Sequence, residues 1–296
     1  MSEFYPNNPL LLAEQTINDF WSTSPLNSLH LATGEKAWQK PHLLVASAAD
    51  PLFKKIKDMI GDFLWTPEEA FAIAFPGQAV AAEELRVLSY LLPQTDATRQ
   101  EQRLAQAVPA ERWARSRFHG EEFNCALRLH LADTLTNAGL PAVAPERLPG
   151  FAYRDSERFG IASNWSERHV AFIAGHGTFG LSDGLITRSG KAVRFGSVVV
   201  KADLQVSERI YGDDHQAWCL WYVEGKCGAC ALRCPADAIT TAEGHLKPEC
   251  FTYIRETTAP YATKTYGTGA TPCGLCQVKI PCESRIPAAL APENNL

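Results

Sequence analysis

Eight of the nine cysteines in this chain fall between residues 219 and 282, and four of those stand in the 16 residues from Cys219 to Cys234. No other feature constrains the fold as strongly. Thiols packed this densely must be cross-linked, bound to metal or engaged in redox chemistry. The N-terminal stretch "MSEFYPNNPLLLAEQTINDF" has no basic leader, twin arginine or long apolar run, so a secretory signal is not expected. A cytoplasmic location follows as the expectation. In that compartment clustered cysteines serve metals more often than disulfides.

The spacing narrows the metal. "CGACALRCP", Cys227 to Pro235, is the last part of C-x2-C-x2-C-x3-C-P, the bacterial ferredoxin run. In that run the first three cysteines bind one iron–sulfur cluster and the fourth binds another. A complete run would need a cysteine at Glu224, and Cys219 is the nearest candidate. "LWYVEGK" is then an insertion. Downstream lie Cys250, Cys273, Cys276 and Cys282, which bring the total to the eight thiolates of two [4Fe-4S] clusters. The crossing rule assigns Cys219, Cys227, Cys230 and, most simply, Cys282 to one cluster. It assigns Cys234, Cys250, Cys273 and Cys276 to the other. A pair of zinc sites is the competing reading, but zinc ribbons do not need a fourth cysteine followed by proline. Cys125 is left over and reads as a small buried hydrophobe.

The first two thirds look like one mixed domain. "KPHLLVAS", "ELRVLSYLLP" and "AVRFGSVVVKADL" read as strands. "DPLFKKIKDMIGDFL" reads as an amphipathic helix with Leu52, Ile56, Met59, Ile60 and Phe63 on one stripe. Thr66, Pro67 and Glu69 open another through a capping box. In "EEFNCALRLHLADTLTNAG", Phe123, Leu127, Leu131 and Leu135 repeat at i, i+4, with Gly139 as the cap. "SNWSERHVAFIAG" reads as a helix to Ala174, ended by Gly175. Cysteine density jumps after about residue 205, which places the boundary between a 1–205 domain and a 206–296 domain.

"GHGTFG", Gly175 to Gly180, is formally G-x-G-x-x-G, but here a helix precedes the glycines and no acidic residue follows at the right distance. A dinucleotide site is therefore not expected. Its glycines suit a backbone lying close to a large flat ligand. The net charge of −5 advertises no nucleic-acid partner, although a tRNA is not excluded. No segment approaches the roughly 18 apolar residues of a membrane span.

"WSERHVAFIAGHGTFGLSDGLITRSGKAVRFGSVVV", followed by the cysteine region, resembles the epoxyqueuosine reductase and reductive dehalogenase superfamily. "VLSYLLP", "RSRFHGEEFNCALRLHLADTL" and "KPECFTYI" extend the resemblance over most of residues 85–285. It implies an α+β protein: a nitroreductase-like α/β domain that binds cobalamin, then a ferredoxin-like domain with two [4Fe-4S] clusters. It implies a reductase of a small organic substrate, fed by an external flavodoxin- or ferredoxin-type donor. A non-catalytic electron-transfer or corrinoid-handling protein is the alternative.

On this reading the cobalamin contacts are Gly175, Gly177, Thr178, Phe179, Gly180 and Ser182 in the loop. Lys191 and Arg194 would meet the cofactor's phosphate. The family's acidic proton donor falls at about Ile161 here. Tyr153, Arg154, Asp155 and His176 are the remaining candidates for proton delivery. The segment from Cys276 to Cys282 is also two residues longer than the family pattern.

Overall fold

The structure is a computed structural model that describes residues 8–156, 159–269 and 271–292. Helix α1 (Pro9–Thr23) starts on Asn8, whose side chain accepts from the Leu11 amide, with Pro9 in the first turn. Strand β1 (His42–Ser47) follows, then α2 (Pro51–Ile60), capped by Asp50, and α3 (Pro67–Ala74), opened by the expected Thr66–Glu69 capping box. Next come β2 (Leu85–Pro93), α4 (Asp96–Leu104) and α5 (Glu111–Asn137). Leu52, Ile56 and Ile60 are buried as their spacing predicts, whereas Met59 turns to solvent.

Strand β3 (Ala142–Val143), the hairpin β4 (Tyr153–Ser156) and β5 (Gly160–Ser163), and helix α6 (Glu167–Ile173) come next. The hairpin β6 (Gly177–Phe179) and β7 (Leu185–Thr187) leads into β8 (Val193–Lys201). The main sheet runs β1-β2-β8-β3 with every pairing antiparallel. Strands β2 and β8 are apolar on both faces because helices cover both. Leu88, Tyr90, Leu92, Val198 and Val200 pack on α1 and α5. Leu85, Val87, Leu91, Phe195 and Val199 pack on α2, α3 and α6. The result is a mixed α/β body of three layers. Truncating a fully buried member such as Leu88 to Ala would cost about 2–5 kcal/mol.

The cysteine region holds α7 (Leu220–Glu224), α8 (Ala229–Leu232), the short pair β9 (Ile239–Thr240) and β10 (Gly244–His245), α9 (Lys247–Tyr253) and α10 (Ala259–Tyr266). The expected boundary at 205 falls shortly after β8, but the two parts share cores. Leu181 and Ile186 of the β6–β7 hairpin pack with Trp218, Cys219, Cys230, Ile239, Ile280 and Ile286. The amides of Lys191 and Ala192 donate to the carbonyls of Cys282 and Glu283 at 2.8 and 3.1 Å. Gln102 Nε2 donates to the Cys273 carbonyl at 2.8 Å, and buried Glu283 takes Arg103 at 2.7 Å. Among the described residues no helix is long and apolar enough to cross a membrane.

Candidate functional site

The "LWYVEGK" insertion is α7, a single helical turn. Cys219 is its N-cap, and Gly225, at φ +67, turns the chain back at its end. That return brings Cys227 and Cys230 to Cys219. The three line one cavity with Cys282, Lys191, Leu181, Ile186 and Ile280.

A second set gathers from α8's end, α9 and the loop after α10. Burial pushes the Cys250 thiol up to about 11, with Cys276 and Cys234 close enough to add to the shift. Burial likewise pushes Cys273 up to about 12, with Cys276, Cys250 and Cys234 adding. Gly274 separates Cys273 from Cys276 at φ +60, and a Cβ there would stand 2.2 Å from the Trp113 ring. Only glycine lets this loop lie on α5.

These donors fit iron–sulfur clusters. All nine cysteines are free thiols. Among the described residues no three Cys, His, Asp or Glu donors converge on a single ion position. A tetrahedral zinc site would hold its sulfurs about 3.8 Å apart, whereas a cubane, with irons between the thiolates, needs them spread. Two buried donors beside the second quartet, Trp113 Nε1 and Arg233 Nε, have no hydrogen-bond partner among the described residues. Arg233 lies within electrostatic reach of Cys276 and Cys273. Such N–H groups suit cluster sulfurs, which accept hydrogen bonds. Cys125 stands apart on α5. It is half-buried at 3.8–3.9 Å from Arg128, Glu121 and Arg147 rather than in an apolar core.

In the glycine loop and the turn after it, Lys191 is buried against the first quartet and donates from Nζ to Ser182 Oγ at 2.8 Å. Ser182 is thereby occupied, and buried Thr178 Oγ1 accepts from the Trp218 amide at 2.9 Å. The glycines make room for the chain itself. A Cβ on Gly175 would meet the Glu208 carbonyl oxygen at 2.7 Å, and one on Gly177 would meet that of Ile186 at 2.0 Å. A Cβ on Gly180 would come within 3.3 Å of Lys191 Nζ. Of the eight expected contacts, Phe179 and Arg194 alone keep accessible surface.

His176 is buried, bonded through Nε2 to the Ser89 carbonyl at 2.9 Å, and burial holds its pKa down to about 4.

The β4–β5 hairpin offers better groups. Asp155 pairs directly with Ile161, and Tyr153 with Ser163. Directly opposed residues share a face, as do alternate residues along a strand. Tyr153, Asp155 and Ile161 are therefore neighbours on one face, while Arg154 projects from the other. A carboxylate and a phenol flank the position where an acid was expected. Glu157 lies outside the described residues.

Beside this hairpin three arginines from separate elements come within electrostatic reach of one another: Arg117 on α5 and Arg194 on β8, both half-buried, and exposed Arg168 on α6. Tyr153 lies within electrostatic reach of Arg117. Arg168 lies within reach of Asp183, Cys276 and Cys250. His169, tilted against Phe179 with centroids 5.1 Å apart, is held neutral by burial, with its pKa down to about 3.

Buried Arg128 is ion-paired to Glu146 at 2.6 Å, Glu167 at 3.1 Å and Glu121 at 3.2 Å. Burial raises the Glu167 carboxyl, while Arg194 and Arg128 hold Glu121 down to about 2 against its own burial. No signal in the sequence marked Arg117, Glu121 or Arg168, because isolated charges on helices ordinarily face solvent.

No family model and no curated protein matches the chain. Among solved structures it is similar to the catabolic reductive dehalogenase NpRdhA, at 15% identity and a TM-score of 0.51, over 84% of this chain and 30% of that one. NpRdhA in complex with 3-bromo-4-hydroxybenzoic acid gives 16% identity and a TM-score of 0.50 over the same shares. An epoxyqueuosine reductase from Bacillus subtilis is matched over 97% of this chain and 69% of that one, at 15% identity and a TM-score of 0.44, too low to argue from. The chain spans about 30% of the length of the dehalogenase it matches. The likeness is one of fold.

Proposed function

We propose that this chain is an iron–sulfur reductase that works with cobalamin on a small organic substrate. The observation that carries the reading is the gathering of eight thiols in two sets, one of which, Cys219, Cys227, Cys230 and Cys282, lines a single cavity. Cys219, Cys227, Cys230 and Cys282 would hold one [4Fe-4S] cluster, and Cys234, Cys250, Cys273 and Cys276 the other. The clusters would supply electrons one at a time, and cobalamin a strongly reducing centre. The cobalamin part rests on the sequence resemblance and on the fold shared with a reductive dehalogenase. The glycine loop stays the proposed seat of the cofactor contacts, with Thr178, Ser182 and Lys191 also engaged inside the protein.

The chain's own residues have definable tasks. Tyr153 and Asp155 stand where a product could be protonated. Neutral His169 and Phe179 add aromatic surface nearby. Electrons would come from an external flavodoxin- or ferredoxin-type donor. A non-catalytic corrinoid-handling protein is the second reading, favoured by Ile161 at the acid's expected position.

Titration of anaerobically prepared, cluster-loaded protein with hydroxocobalamin tests the proposal. Binding tighter than about 10 μM, or about −7 kcal/mol, supports it. Intact clusters with no corrinoid binding would remove the reductase reading and leave a simple electron carrier.

A further inference from the structure

The geometry points to a task for Trp113: its indole N–H donates a hydrogen bond to a sulfur of the cluster proposed for Cys234, Cys250, Cys273 and Cys276, and so raises the reduction potential of that cluster. The inference rests on the cluster part of the reading above and is independent of cobalamin.

Trp113 stands in the first turn of α5 and is 1% exposed. Ser116 Oγ donates to its carbonyl at 2.9 Å, and Gln94 Nε2 donates to Ser116 Oγ at 2.9 Å, which pins this turn. Ala192 and Val278 form one buried apolar group with the ring. The edge that carries the nitrogen is pressed on Gly274, where an added Cβ would stand 2.2 Å from Cε2, Cζ2 and Nε1 alike. An indole nitrogen can only donate. Trp38 and Trp165, the other tryptophans buried as deeply, spend theirs on the Gly120 carbonyl at 3.0 Å and on Ser197 Oγ at 2.9 Å. Trp113 Nε1 has no such partner among the described residues. A buried donor left unpaired costs its full desolvation, so its persistence calls for an acceptor of another kind.

Place decides which acceptor. Among the described residues, Trp113 Nε1 and Arg233 Nε are the two side-chain N–H groups buried without a partner, and both lie at the second quartet. Gly274, against the indole, stands between Cys273 and Cys276. Arg233 precedes Cys234 and lies within electrostatic reach of Cys276 and Cys273. The same quartet draws other donors: the Leu275 amide bonds to the Cys273 sulfur, and the Ser182 hydroxyl to that of Cys276. The first quartet differs. Its cavity has Leu181, Ile186 and Ile280 among its walls and Lys191 as its positive charge. A cluster gains negative charge on reduction, and a hydrogen bond to a charged acceptor is stronger than one to a neutral acceptor. Each N–H···S bond therefore favours the reduced state, and the added electron is drawn toward the second quartet.

Trp113→Phe keeps a ring in place and deletes the N–H. The test is an EPR-monitored redox titration of the full chain, loaded with clusters anaerobically. One cluster should hold its electron about three- to tenfold less tightly than in the parent, a fall of up to about 59 mV. The other potential, and an iron content of about eight per chain, should stay as they were. Trp21→Phe, whose indole nitrogen donates to the Trp38 carbonyl at 3.0 Å, should move neither potential. A second measurement needs no variant that folds: in the reduced parent, labelled with heavy nitrogen at its indole rings alone, pulsed EPR should show a hyperfine coupling from that nitrogen. Unchanged potentials with full iron in Trp113→Phe would overturn the inference and leave the clusters standing. So would equal falls in both potentials, or a labelled parent with no nitrogen coupling, which would give the N–H to a buried water. A parent that holds zinc in place of iron would sink the cluster reading itself, and this inference with it.

Discussion

Lys191 donates to Ser182 and, among the described residues, meets no carboxylate. Its Nζ lies 2.8 Å from Ser182 Oγ, in a cavity whose other walls carry Cys219, Cys227, Cys230 and Cys282. Ser182 in turn lies within hydrogen-bonding reach of Cys276, in the other quartet. One buried ammonium therefore stands between both sets of thiols, and their charges hold it protonated against its burial.

Replacing Lys191 with Met should lower the reduction potentials of both proposed clusters, because a positive charge stabilises the added electron. A unit charge roughly 8 Å away at an effective dielectric of about 20 is worth about 2 kcal/mol, or roughly 90 mV for one electron. An EPR-monitored redox titration reads this directly. Unchanged potentials with full iron content would show that the lysine serves packing alone.

Cys219→Ser should cut iron from about eight to about four per chain, while Cys125→Ala leaves it unchanged. Iron and acid-labile sulfide analysis decides it. Equal iron in the Cys219 variant and the parent would mean that another residue completes the first quartet.

Gly274→Ala should destabilise the protein by about 3 kcal/mol or more. The new Cβ would overlap the Trp113 ring, and φ +60 already disfavours a side chain. Since Cys273 and Cys276 flank this residue, iron in the second quartet should fall along with the melting temperature. A variant as stable and as iron-rich as the parent would show that the loop has another seat.

His176 should make the fold acid-sensitive. Its folded pKa of about 4 lies below the unfolded value near 6.5, so the folded state binds fewer protons. Its contribution is complete above pH 6.5 and is lost as pH falls from 6.5 to 4, by about 3 kcal/mol in all. Denaturant melts between pH 7 and 4 should show this slope, and His176→Gln, which keeps a donor for the Ser89 carbonyl, should flatten it. A parallel profile in the variant would place the acid sensitivity elsewhere.

The elements legible in the sequence were those whose pattern is local. Strands β1, β2 and β8 are apolar runs with turn residues at their ends. The α3 start is written in Thr66 and Glu69, and the end of α6 in Gly175. Helix α4 was not legible, because "DATRQEQRL" has almost no apolar residues and is held by Gln102 and Arg103 reaching the cysteine region. The glycines of the loop make room for the chain's own backbone and Lys191, a packing reason that a sequence motif does not display. The proximity of Arg117, Arg168 and Arg194 was invisible because they come from three elements far apart in sequence.

The course of the chain around the first quartet has a mechanical meaning. Cys219 and Cys282 lie at opposite ends of the cysteine region, and Cys282 is also stitched to the residues that enter β8. A cluster holding both would act as a rivet across a loop of roughly 60 residues, and by the chain-entropy argument used for disulfides such a closure removes about 4 kcal/mol of freedom from the unfolded chain. Oxidative loss of that cluster would then loosen the whole C-terminal third, so damage by oxygen would register as partial unfolding before it registered as a missing electron path.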